Sequence, residues 1–492
     1  MKKEYRYLSL NAPKSIVRRA LQLSVTLLSL MALQPAQAVD LREVSNAVVK
    51  LFITVQTWNM RQPWSKNPSR RQVCSGFLIE QGIVTNAHCV SDATYIQMEV
   101  PGGRDKVEVE IKAVSHQIDL ALLQPKDTGV FAGVKPISFG DLPKLREKVV
   151  TVGYPTGGRQ VSFTEGVVSR IDMMGYVHSR LGNLMVQTDA AINGGNSGGP
   201  VFSDRTGECL GVATQKGAGS AIGYFIPIPV VKLFIKDIRD GRVDGVPALG
   251  VFIQGMENPA ERALLGMPGK LSGVRIKKVA RYGSAHGFLR ENDVLLSIEG
   301  HPIFNDGRVR FRAHGKIGFG YYFSTKQIGE DITFEVWRDR QRRKITFQLK
   351  PRDFMVIPAM PQYDTQPRFY LLGGLLFRVV EPRYLGHRAP VDIKKYYQTT
   401  RGEQGLQELV VIGAIYEASV NKGYNGGLKN IRVMRVNGRK IGGLKDLVAA
   451  FKAGAEREFY VIDLEGRAQV ILNRKQVESS EAAIRKRYNI RI

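Results

Sequence analysis

The string DAAINGGNSGGP, residues 189–200, holds a serine between glycines. Small neighbours leave Ser197 open to an incoming carbonyl, and they let backbone N–H groups converge on one point. The N–H groups of Gly195 and Ser197 could then hold the negative oxygen of a tetrahedral intermediate. The same string also suits a glycine-rich turn, so it needs partners. TNAHCV (85–90) sets His88 at the end of a β run, and HQIDLALLQP (116–125) sets Asp119 at the mouth of another. A hydroxyl that attacks an amide needs a base, and the base needs a buried carboxylate to hold its tautomer and stabilise the imidazolium. His88 as base, Asp119 as its orienter and Ser197 as nucleophile supply these parts in the order His, Asp, Ser.

The elements that must position these groups read as short strands from Val44 to about Ile228, with Gly, Pro, Asn and Asp at regular intervals. That rhythm predicts an all-β sandwich or barrel rather than alternating β and α. PVVKLFIKDIRD (229–240) has apolar residues at helical spacing and predicts a closing helix. A second unit of mixed strands and short helices spans 246–350. The proline-rich stretch 351–368 reads as a linker. A third unit, 369–475, looks like a divergent repeat of the second, and 476–492 reads as a charged, helix-compatible tail.

The chain has 492 residues, enough for two to four domains. Its formal charge of +26 is unevenly spread. Residues 1–38 carry six basic and one acidic side chains, 39–245 carry 23 and 20, and 246–492 carry 42 and 24. The strand-rich body is therefore nearly neutral. The basic C-terminal half has dense arginine runs but sparse aromatic interleaving and no nucleic-acid motif, so a solvated surface or contact with an anionic surface is the reading, not specific nucleic-acid binding. Residues 1–38 combine a positive leader, a 14-residue apolar run and the small-residue site Ala36-Gln37-Ala38, predicting an export signal cleaved after Ala38. The run is short for a bilayer span. Periplasmic or otherwise exported localisation follows. Three cysteines, Cys74, Cys89 and Cys209, fit no CxxC metal site, and no metal or other cofactor is expected. Cys209 reads as a small buried hydrophobe.

SGFLI before TNAHCV, then DLALL, then QTDAAINGGNSGGPVF, together resemble the trypsin-like domain of the high-temperature-requirement A (protease Do) family. VGYPTGG, TEGVVSRI and IGYFIPIPVVK match at corresponding places, and the resemblance runs over about 40–475. ENPAERALLGM, the NDGRV segment and the divergent second repeat are most similar to the Do-like branch. The resemblance implies a mainly β chain: a chymotrypsin-like double barrel over 39–245, then two PDZ-like α+β domains. It implies an ATP-independent serine endopeptidase acting on unfolded or damaged protein, working in trimer-based or larger homo-oligomers. It puts Ile192 near the floor of an apolar specificity pocket, leaves Asp189 a structural role, and makes His116, three residues before Asp119, a solvated loop residue. It places Cys74 and Cys89 where chymotrypsin-like enzymes tie the strand before the histidine to the residue after it, although most Do-family members lack the pair. ALGVFIQ (248–254) resembles a PDZ carboxylate loop, with Leu249, Gly250 and Val251 taking a peptide C-terminus; an ordinary glycine turn is the alternative. LLGGLLF (371–377) occupies the like position in the third unit, where an assembly role fits better. Two competing classes are a holdase chaperone with incidental or site-specific proteolysis, and a basic scaffold on membrane or nucleic acid.

Overall fold

The computed structural model describes residues 44–491 except 104, 159, 218–221, 314, 387–390 and 425. The expected leader, 1–38, lies outside the described residues. Among those residues no helix is long and apolar enough to cross a membrane.

Two six-stranded closed barrels carry the candidate chemistry. The first contains β1 (Val48–Val55), β2 (Arg70–Ile79), β3 (Gly82–Thr85), β4 (Ala93–Glu99), β5 (Val107–Ser115) and β6 (Leu120–Pro125). They close in the order β1-β2-β3-β6-β5-β4. The second contains β7 (Lys148–Gly153), β8 (Ser162–Gly175), β9 (Gly182–Thr188), β10 (Pro200–Ser203), β11 (Cys209–Lys216) and β12 (Gly223–Pro227), in the order β10-β11-β12-β9-β8-β7. Closure removes the unpaired edges that short, β-branched strands would otherwise present. Val49, Leu51, Ile83 and Leu123 fill the first barrel, and Val149, Val186, Val201 and Phe225 fill the second. The residues of opposite pleat, among them Val48, Phe77, Val152 and Phe202, form the seam between the barrels. The expected closing helix is α2 (Ile228–Asp237), following a single helical turn, α1 (Ala87–Val90). Val230, Val231 and Phe234 bury its apolar stripe.

The second unit is built on a twisted sheet whose main path runs Val251–Gly255, Val274–Val279, Val294–Ile298, Asp331–Arg338 and Gln341–Gln348. Its core residues Ile276, Leu295 and Phe334 belong to the same apolar cluster as the barrel seam. Arg308 pairs with Asp172 at 3.1 Å, and Arg312 donates to the Leu142 carbonyl at 2.9 Å, pinning the unit to the second barrel.

The third unit has a three-stranded and a four-stranded sheet, with helices Leu444–Ala453 and Arg474–Arg487 packed on them. The second helix covers most of the segment expected to be a charged tail. Its Val477 and Ile484 are buried in the unit's core, so the segment is a packed element with a solvated outer face. Trp64, from the segment between β1 and β2, enters that core too and meets Phe369 and Tyr416 at centroid distances of 5.9 and 5.6 Å. Buried Arg378 donates to the Met60 carbonyl and lies 3.7 Å over the Tyr384 ring.

The stretch 351–368 connects the two appended units, and it is seated on the first barrel. Asp364 accepts a bond from the Asp92 N–H and returns one from its own N–H at 3.0 Å. Gln366 donates to the Pro63 carbonyl at 2.9 Å. Its prolines remove donors the segment would otherwise have to satisfy, which suits a strap lying across a surface.

Candidate functional site

The three residues expected to share the chemistry meet at the barrel seam. His88 sits on α1 directly after β3, Asp119 immediately precedes β6, and β3 pairs with β6 through Thr85 and Ala121. That pairing brings the histidine and the carboxylate together. Asp119 is 2% exposed. Its Oδ2 lies 2.8 Å from His88 Nδ1 and also accepts the Thr214 hydroxyl at 2.6 Å. Its Oδ1 accepts the His88 backbone N–H at 2.8 Å, and the Asn86 amide donates to the Asp119 carbonyl at 3.0 Å. Burial works against a charged ring at His88, but the Asp119 carboxylate and its hydrogen bond outweigh it, and the pKa stands above the ordinary value. Burial likewise works against ionised Asp119, yet His88 and the Thr214 bond hold its pKa below the usual carboxylate range.

Ser197 lies between β9 and β10 on the second barrel. Its Oγ donates to the Thr214 carbonyl at 3.1 Å. The Thr156 N–H donates to the Gly194 carbonyl at 2.7 Å, which turns the 194–195 peptide so that the Gly195 N–H faces the other way. Gly195 holds φ +99, and a Cβ there would fall 2.3 Å from the Tyr154 carbonyl oxygen. Only glycine fits that turn. Ser75 then bridges the barrels. Its hydroxyl donates to the Gly195 carbonyl and accepts from the Tyr154 N–H, each at 2.8 Å, while its own N–H donates to the Ser197 carbonyl at 2.9 Å.

Ile192 is buried, and its Cγ1 and Cδ1 lie over Gly223, giving the expected pocket region an apolar wall. Asp189 instead accepts the Val167 N–H and staples β8 to β9. The sulfurs of Cys74 and Cys89 are 2.01 Å apart, joining β2 to α1 beside the histidine. A His88 ring nitrogen and the two sulfurs cluster within 4.8 Å, but the sulfurs are bonded to each other and Nδ1 is taken by Asp119. Cys209 is buried, as a small apolar residue would be.

In the second unit, the carbonyls of Leu249 and Gly250 accept from Ala285 and Ala280 at 2.9 and 2.7 Å. The N–H groups that follow them, on Gly250 and Val251, point away from that segment. Gly250 holds φ +73, with room for no Cβ against Gly283. Val251–Gly255 is an edge strand of its sheet.

Two further histidines stand beside the site. His178 lies 6.2 Å from His88 between ring centroids, and its Nε2 is 3.0 Å from His116 Nδ1. His116 Nε2 is in turn 2.7 Å from Asp364 Oδ2, so His116 is a partly buried bridge to the 351–368 strap and no solvated loop residue. Burial, with His116 and His88 adding to it, lowers His178 to a pKa of about 4. Sequence reading also missed Ser75, although it stands in the quoted SGF string, and Thr214, whose local string carries no signal.

Comparison with known proteins agrees with this architecture. A trypsin-like peptidase domain model matches residues 74–212, and a PDZ domain model matches 357–492. Protease Do-like 4, mitochondrial, of Arabidopsis thaliana is 33% identical over 445 residues, covering 89% of this chain and 83% of that protein. Protease Do-like 2, chloroplastic, of the same plant is 33% identical over 458 residues, covering 90% and 74%. Among solved structures, the HtrA-type protease AlgWS227A with decapeptide aligns over 63% of this chain and 96% of its own, with a TM-score of 0.50 and 22% identity, a likeness of fold alone. One-third identity sustained along nearly the whole chain, over a double barrel with appended PDZ units, places this protein in the high-temperature-requirement A family, among its Do-like serine endopeptidases.

Proposed function

We propose that this endopeptidase degrades unfolded or damaged protein in an exported, ATP-independent quality-control role, with Ser197 as nucleophile, His88 as general base and Asp119 as orienter. The observation that carries the assignment is the buried Asp119 carboxylate held between His88 Nδ1 and the Thr214 hydroxyl. With Nδ1–H committed to Asp119, Nε2 keeps its lone pair for the serine proton. Ser197 Oγ leaves the Thr214 carbonyl, gives its proton to Nε2 and attacks the substrate carbonyl. The N–H groups of Gly195 and Ser197 hold the oxyanion, and Ser75 keeps that loop in place. His88 then protonates the departing amine, and water, activated by the same ring, releases the acyl group.

Ile192 supports an apolar pocket for small aliphatic side chains, and the Cys74–Cys89 bond stiffens the His88 turn. The Leu249–Val251 loop and the edge strand beside it take a peptide C-terminus by strand addition. The working form is a trimer-based or larger homo-oligomer, and the basic C-terminal half meets anionic surfaces. Ser197→Ala tests the core of this reading: digestion of an unfolded casein substrate should fall by about a million-fold in kcat. Turnover at the wild-type rate would remove Ser197 from the mechanism. Full suppression of aggregation by the same inactive variant would shift the main role towards holding.

A further inference from the structure

A cavity of about 410 Å³ opens where the first two barrels, the 351–368 strap and the third unit come together. Its volume falls in the range of small-molecule sites, roughly 300–1,000 Å³. Met60, Leu181, Met355 and Met360 give it apolar walls, and Gln117, two residues before Asp119, forms part of one side. Methionines suit a site that must fit flexible apolar chains, because the thioether is polarisable and its rotamers adapt.

The charged groups on the wall are unevenly matched. Arg401 pairs with Asp353 at 2.7 Å, and Arg368 with Glu408 at 2.5 Å. Glu381 is buried, and its Oε2 accepts the Arg383 backbone N–H at 2.9 Å. Arg352 has no hydrogen bond or carboxylate partner among the described residues, and it lines the cavity. Burial alone draws its pKa below the ordinary arginine value. A partly buried guanidinium whose five donors meet no bonded acceptor among the described residues is a costly arrangement unless something anionic completes it.

We propose that this cavity is a binding site for a ligand with an apolar body and a single carboxylate, which Arg352 receives through a forked pair of hydrogen bonds. Planar guanidinium matches carboxylate in that geometry, and the apolar body replaces water against the methionine walls. Two sources offer this chemistry: a medium-chain fatty acid, or the free C-terminus of a peptide such as proteolysis itself releases. None of Leu249, Gly250 and Val251 lines the cavity, and the site uses a side-chain cation where that loop is proposed to use backbone N–H groups.

The test uses the full mature chain carrying Ser197→Ala, titrated by calorimetry with sodium decanoate, with a hexapeptide ending in valine as free acid, and with the same hexapeptide amidated. Saturable binding of decanoate or of the free acid is expected, weakened at least tenfold by Arg352→Gln and restored in part by Arg352→Lys. Decanoate binding identifies the fatty-acid source, and Arg352-dependent binding of the acid but not the amide identifies the peptide source. Met360→Trp, which fills the cavity and keeps the arginine, should abolish the same binding and decides the matter if Arg352→Gln does not fold. The proposal is overturned if neither carboxylate binds, if the amide binds as well as the acid, or if binding survives both substitutions. Peptide binding that is indifferent to Arg352 belongs to the PDZ loop and counts against the cavity. None of these readouts requires turnover, so they stand or fall separately from the assignment of Ser197.

Discussion

Tyr363 lies flat on His178, with ring centroids 4.2 Å apart, and its hydroxyl donates to the His178 carbonyl at 2.9 Å. One residue comes from the strap between the two appended units and the other from the hairpin between β8 and β9. The contact therefore ties the PDZ-like half of the chain to the immediate neighbourhood of His88.

Tyr363→Ala should loosen the strap without touching the chemistry. Loss of a stacked, hydrogen-bonded ring lets the segment open locally, so trypsin should cut at Arg352 or Arg368 roughly tenfold faster. Timed digestion followed by mass spectrometry reads this directly. Unchanged cleavage kinetics would mean that Asp364 and Gln366 hold the strap alone.

His178 makes a pH prediction whose sign is fixed. Burial has lowered its folded-state pKa to about 4, so the unfolded chain binds a proton more readily below the ordinary value of about 6.5. Stability should fall as pH drops from about 6.5 towards 4. The raised pKa of His88 acts oppositely, contributing stability that is complete below about 6.5 and lost as pH rises through its folded value. His178→Phe should flatten the acid-side loss in a series of thermal melts across this window.

Asp119→Asn should remove the influence that keeps the His88 pKa high, leaving burial to pull it down. If His88 is the base as proposed, the rising limb of kcat/KM follows its deprotonation and should move to lower pH. Turnover should drop by about ten-thousand-fold because the ring loses its tautomer control. Pre-steady-state release from a fluorogenic peptide measures both.

Ser75→Ala leaves the Gly195 carbonyl and the Tyr154 N–H without the hydroxyl that joins them. A buried polar group left unsatisfied costs about 1–3 kcal/mol, which urea denaturation can resolve. Because the loop proposed to carry the oxyanion donors loosens, kcat should fall by roughly tenfold with KM little changed. A rise in KM alone would assign Ser75 to substrate binding instead.

Reducing the Cys74–Cys89 bond should cost roughly 3 kcal/mol at a sequence separation of 15, by the chain-entropy account. Cys74→Ala/Cys89→Ala, compared with wild type in guanidinium with and without reductant, checks it. Reductant should destabilise the wild type and leave the double variant unmoved.

The nearness of His88, Asp119 and Ser197 was legible because each stands in a short string whose residue types suggest a shared chemistry, and the strand rhythm around them announced an all-β sandwich or barrel, of which the chain forms two barrels. The α2 helix was legible because Val230, Leu233 and Phe234 repeat at helical spacing. Thr214 and His178 were not, since what matters about them is a neighbour far away in sequence. Thr214 reaches a carboxylate 95 positions earlier, and Tyr363 a carbonyl 185 positions earlier. Nothing local in 351–368 distinguishes a strap from a free linker: four prolines and few periodic apolar residues describe both. The final helix was visible as helix-compatible, but two apolar residues, Val477 and Ile484, do not form a stripe strong enough to announce a core.

The chain leaves the first barrel, passes through the second barrel and the second unit, and comes back along 351–368 to the surface it left. Trp64 completes the return by reaching into the third unit's core. Such a path is a ring. Neither appended unit can swing on a single tether, because any large displacement of one must break a seam at two places. A force on the second unit is therefore carried to both barrels at once, to the second through Asp172 and to the first through Asp364 and His116.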